Sequence, residues 1–152
     1  MKLAEALVLR ADVQTRLQQL RNRLTQSAVV QEGEQPPENP ETLLSELNQL
    51  LTQLTDLIVR INRTNMQTTL ATGTPLTLAL AQRDTLSTHH SIVSGLADTA
   101  SNRIDRYGRS EIKKVSTVDV AALRRQADEL ARQRRELDTA IQAVNWAVDL
   151  VE

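Results

Sequence analysis

Aliphatic side chains recur every three to four positions in four stretches of the chain. The first stretch reads Leu3, Ala6, Arg10, Val13, Leu17, Leu20 and Leu24, with Arg10 as its polar interruption. The second reads Leu43, Leu47, Leu50, Leu54, Leu57 and Ile61, and Leu44, Leu51 and Ile58 widen its stripe. The third reads Leu76, Ala79, Arg83, Leu86, His90, Val93, Ala97, Ala100 and Ile104. The fourth runs through Val120, Leu123, Ala127, Leu130, Arg134, Leu137, Ile141, Val144, Val148 and Val151. This alternating spacing keeps one side of a helix apolar, as along a coiled-coil seam. It predicts helices over about 2–27, 40–66, 75–104 and 118–150.

The interruptions agree with those four elements. Pro36, Pro37 and Pro40 forbid a continuous helix between the first two stretches. Asn39 before Pro40 reads as a cap followed by a proline in the first helical position, with Glu41 in the first turn. Gly73, Thr74 and Pro75 repeat that grammar before the third helix, and Gly108 closes the region beyond Ile104. Thr117 is a candidate cap for the fourth helix, with Asp119 near its positive end. The expected architecture is all-α: one domain, residues 1–152, folded as an antiparallel four-helix bundle of long coiled-coil-like helices. Two connections carry short β-type runs, Ala28–Glu32 and Glu111–Val115. They are expected to pair as a small two-stranded ribbon at one end, with two solvated loops as the alternative.

The wide stripe of the second helix must bury against more than one neighbour. Homo-oligomerisation, with a dimer as the default, follows. Composition supports the same class. The chain has 152 residues, 40% of them hydrophobic, with no Phe, one Trp, one Tyr, four Gly and four Pro. A net charge of −1 gives no overall field to recruit nucleic acid or an anionic membrane. There is no Cys, so there is no disulfide, thiolate nucleophile or Cys-based metal site. Glu5, Arg10 and Asp12 interrupt any signal-peptide core, and no apolar run approaches the roughly 20 residues of a membrane span. A cytoplasmic protein is the expectation.

Polar residues at seam positions carry the candidate chemistry. In an antiparallel bundle, Arg10, Asp56, Asn62, Asn65, Arg83, Asp84, Asn145 and Trp146 converge from four helices onto one end. One reading is a buried hydrogen-bonded network that fixes register, the commoner use of polar seam residues. The other is a pocket for a small anion or a partner's carboxylate, since guanidinium groups offer paired donors. His90 and Arg134 are expected to share a layer near mid-length. A metal site is not expected, because Leu86 and Ser87 stand where a diiron bundle would carry Glu. Arg103, Arg106, Arg109, Lys113 and Lys114 form a basic connection that could contact phosphates, but Tyr107 is its only aromatic. On the fourth helix, Asp128, Arg132 and Glu136 read as an exposed ion-paired face. No phosphate loop, dinucleotide fingerprint or nucleophile elbow occurs, and no cofactor is expected.

Several segments resemble a known family: Met1 to Asp12, Val30 to Glu34, Arg60 to Asn65, Leu80 to Asp84, Arg109 to Lys113, and Asn145 with Trp146. They are similar to a set of small uncharacterised bacterial proteins, some of which carry the label septicolysin. The resemblance covers nearly the whole chain and implies an all-helical fold. It transfers no residue-specific activity. The label implies membrane activity, which stands as an alternative to a non-enzymatic protein acting through protein contacts. An anion-binding or nucleic-acid-binding protein is the further alternative.

Overall fold

The computed structural model describes residues 1–101 and 114–152. It contains four helices: α1 (Leu3–Ser27), α2 (Pro40–Gln67), α3 (Leu76–Ser101) and α4 (Val120–Ala147). No strand forms among the described residues beyond two isolated bridges, Lys2 with Asp149 and Thr69 with Pro75. Basic residues Arg103, Arg106, Arg109 and Lys113 lie outside the described residues, as do Tyr107 and Gly108.

Local chemistry sets the helix starts. The Asn39 side chain accepts a hydrogen bond from the Glu41 N–H at 2.8 Å, and Pro40 opens α2 with the φ its ring already fixes. At α1, the Glu5 carboxylate reaches back to accept the Lys2 N–H at 2.6 Å. The cap of α4 corrects an expectation. Asp119, rather than Thr117, caps the helix by accepting the Ala122 N–H at 3.0 Å. Its carboxylate stands where the first four N–H groups of the helix have no helical partner, so it gains a hydrogen bond and a favourable dipole. Ahead of α3, residues 70–74 form a tight turn. Leu70 N–H donates to Thr74 at 2.8 Å and Gly73 N–H to Leu70 at 2.9 Å, with Gly73 at φ 83°. A side chain would be strained at that φ.

The first arm of the expected ribbon is not a strand. Residues 28–32 have no regular structure, and a turn follows in which Glu34 N–H donates to the Gln31 carbonyl at 3.0 Å. Gly33 at φ 89° and the prolines at 36 and 37 turn the chain before a ladder can extend. Most of the second arm lies outside the described residues.

The chain divides into two compact units. Unit 1 comprises Met1–Thr68 and Ala143–Glu152. Its core takes Leu3, Val13 and Leu20 from α1, and Leu43, Leu50, Leu57 and Ile61 from α2, all buried. At one end, Arg23 near the close of α1 donates to Glu38 at 2.8 Å and to Glu46 at 3.2 Å. This ties the end of α1 to the start of α2. At the other end, the C-terminal segment clips the two helices. Leu3 N–H donates to the Val148 carbonyl at 3.0 Å and Leu150 N–H to Met1 at 2.9 Å. Val151 N–H donates to the Thr64 hydroxyl at 3.0 Å, and Arg60 Nε donates to the Val151 carbonyl at 3.2 Å. Thr64 is fully buried, and its hydroxyl also donates to the Arg60 carbonyl at 2.8 Å, so both of its roles are filled. α1 and α2 therefore run in opposite directions.

Unit 2 comprises Thr69–Gln142. Val93 packs with Ala127 and Leu130, and Leu86 and Leu123 extend that cluster. Arg134 donates to Ser87 at 3.2 Å, and Arg124 pairs with Asp98 at 2.7 Å. Partners climb α3 as they descend α4, so this pair too is antiparallel. Helix α4 contributes to both units, changing membership after Gln142.

Candidate functional site

The seam residues singled out from the sequence fall into the two units as follows. Arg10, Asp56, Asn62, Asn65, Asn145 and Trp146 belong to unit 1, and Arg83 and Asp84 to unit 2. Within unit 1 they do not form a hydrogen-bonded network among the described residues. Asp56 instead pairs with Arg60 one turn on, at 3.4 Å. Arg10 is half-buried and makes no ion pair with a described residue. Asn62 is exposed, Asn65 half-buried and Asn145 buried, while Trp146 is 60% exposed. Arg60 and Thr64 were not expected, yet they hold the C-terminal segment. The one-turn spacing of Asp56 and Arg60 signalled their own pairing but not these contacts.

In unit 2, Arg83 is held by acidic neighbours. Its Nε and Nη2 both donate to Asp84, at 3.0 and 2.9 Å, and Nη1 lies 3.8 Å from Asp138. A shallow groove of about 340 Å³ opens here, lined by Arg83, Asp84, Ser87, Arg134, Arg135 and Asp138. Three guanidiniums against two carboxylates leave a weak positive excess. An anion would have to displace Asp84 or Asp138 to reach Arg83. His90 is half-buried, and no hydrogen bond joins it to Arg134. The cross-helix contacts are made by its neighbours: Ser87 with Arg134, and His89 with Gln126 at 3.5 Å. Among the described residues, no hydroxyl is hydrogen-bonded to either histidine, and no cluster of three His, Asp or Glu could hold a metal ion. Lys114 is exposed.

The charged face of α4 forms with one change of partner. Arg132 pairs with Glu129 at 2.7 Å and with Glu136 at 2.8 Å, rather than with Asp128. Hydrogen bonds from Arg132 and Gln133 bring the Glu129 carboxyl from its ordinary 4.5 down to about 2. In unit 1, the hydrogen bonds from Arg23 hold the Glu38 carboxyl below the usual carboxylate range.

The exposed face of α2 differs in kind. Leu44, Leu51 and Ile58, seven residues apart, are 48%, 45% and 38% exposed, and Val59 and Met66 join them. Residues 47–55 contain no charged side chain. On the α1 side, an apolar groove of about 440 Å³ brings Leu17, Leu24 and Leu47 beside Leu51. Solvated helix faces carry charge, whereas recognition surfaces carry contiguous apolar side chains. Among the described residues, no helix is long and apolar enough to cross a membrane.

Comparison with known proteins gives a family and a structural neighbour. No curated protein matches the chain. A crystal structure of a functionally unknown conserved protein from Corynebacterium diphtheriae is 46% identical, with 99% of each chain covered and a TM-score of 0.94. Neither the family nor this neighbour carries the septicolysin label. Residues 10–150 match the model of a family of unknown function (DUF6847), and the chain belongs to that family.

Proposed function

We propose that this chain is a non-enzymatic helical protein that self-associates, as a dimer, and acts through protein contacts. The exposed face of α2 carries the reading. Leu44, Leu51, Ile58, Val59 and Met66 are left in water along a helix whose centre has no charge. Covering them with a partner removes apolar surface from water at about 25 cal/mol per Å². The groove in unit 2 supports small-anion binding less well, because Arg83 is already engaged by Asp84 and faces Asp138. Native mass spectrometry or sedimentation across a concentration series tests the reading. The expected result is a species at twice the 17.0 kDa monomer mass. A 17.0 kDa species alone at every concentration overturns it.

A further inference from the structure

We infer that two copies of this chain pack antiparallel along the exposed face of α2, about a two-fold axis at Leu51. This rests on the self-association just proposed and specifies where and how it occurs. The inference follows from how α2 distributes its residues around its axis. Each residue advances about 100° around a helix. Measured from Leu51, the exposed Leu44 and Ile58 lie within about 20°, and Thr55, Asn48 and Met66 within about 60°. The buried Leu43, Leu50 and Ile61 lie about 80–100° away on the other side. α2 thus has two apolar seams, one filled by its own unit and one open.

The open seam is symmetric about its midpoint. Leu44 and Ile58 flank Leu51 at equal distance, and Asn48 and Thr55 are nearly symmetric between them. An antiparallel copy sets Leu51 against its own counterpart and Leu44 against the second copy's Ile58. A two-fold contact of this kind uses one patch twice and closes on itself. The charges select direction. Flanking this face, exposed Glu41 stands near the start and exposed Arg63 near the end, about 80° and 120° round from Leu51 on the side away from the core, and the charge between them on that flank, Asp56, is paired with Arg60. Antiparallel packing brings Glu41 of each copy to Arg63 of the other, at both ends of the seam. Parallel packing would set Glu41 against Glu41 and Arg63 against Arg63. Opposed helix dipoles favour the antiparallel choice as well.

Cysteine scanning tests the geometry directly, because the native chain has no cysteine. Disulfides require Cα atoms within about 7 Å. Leu51→Cys is expected to cross-link to a dimer under mild oxidation. Leu44→Cys and Ile58→Cys are each expected to stay unlinked alone, and to link when the two proteins are mixed. Cross-linking of all three single variants means parallel packing and overturns the inference. If none links while the native chain still runs as a dimer, the interface lies elsewhere. That result overturns the inference but leaves the proposed self-association standing. A native chain that is monomeric overturns both. Asn48→Lys supplies a check that spares the core, since Asn48 is exposed. With helicity unchanged by circular dichroism, it should weaken the dimer by about tenfold or more, as burying a charge mid-interface does. An unweakened dimer contradicts the inference.

Discussion

Helices α2 and α4 obey the same spacing on their buried sides and differ on their exposed sides. The exposed side of α4 is laced by Arg132 with Glu129 and Glu136, and Arg124 reaches Asp98. Each such pair stabilises little, but it keeps the helix face hydrated and repels apolar contact. The exposed side of α2 has leucines where α4 has ion pairs, and no charge from Leu47 to Thr55. A buried seam therefore says that a helix packs, while the opposite face says whether water is its final environment. α4 presents ion pairs to water, and α2 presents leucines.

The largest expected effect separates two adjacent leucines. Leu50 is 3% exposed, and Leu50→Ala should cost about 2–5 kcal/mol in urea unfolding. Leu51→Ala, one position on and half-exposed, should cost much less in the dissociated protein. Equal losses would erase the distinction between the two seams. Next comes the clip of unit 1. Thr64→Val removes the acceptor for the Val151 N–H inside a buried site and should cost roughly 1–3 kcal/mol. Hydrogen exchange at Val151 should quicken in that variant, and unchanged exchange would contradict the assigned bond. Smaller again, Asp119→Ala should destabilise α4 by about 0.5–2 kcal/mol, whereas Thr117→Ala should be near neutral in thermal melts.

Much of this fold was legible in the sequence for a simple reason. Helices announce themselves through side-chain spacing, and the Asn39–Pro40 start through a residue pair with one common use. The choice of Asp119 over Thr117 was not legible, since both can cap and stand two residues apart. The division into two units left no mark, because a seam reads the same whatever fills it. The C-terminal clip is made largely by backbone groups at Met1, Leu3, Val148 and Leu150, and backbone bonds have no residue signature. Arg23 escaped notice because its partners, Glu38 and Glu46, lie across a proline-rich connection. At the candidate site, the wide stripe of the second helix pointed to α2. Of the polar seam residues, Arg83 and Asp84 pair with each other, while Asp56 pairs with Arg60 one turn on.

The smallest expected effect is acid sensitivity of the α4 face. Glu129 titrates at about 2 when folded, against an ordinary 4.5. Unfolding frees it from Arg132, so the unfolded chain takes up that proton first as pH falls. The stabilisation is present above about 4.5 and is lost on the way down to about 2. Melting temperature should therefore drop over that window, and Glu129→Gln should flatten the drop. Because these groups are exposed, added salt should shrink the effect.

Sedimentation equilibrium of the native chain beside Leu51→Glu bears most directly on the exposed face of α2. The native protein should reach twice 17.0 kDa, and Leu51→Glu should remain at 17.0 kDa with its helical content intact. A native chain that never exceeds 17.0 kDa, or a Leu51→Glu protein that dimerises as well as the native one, would contradict the role assigned to that face.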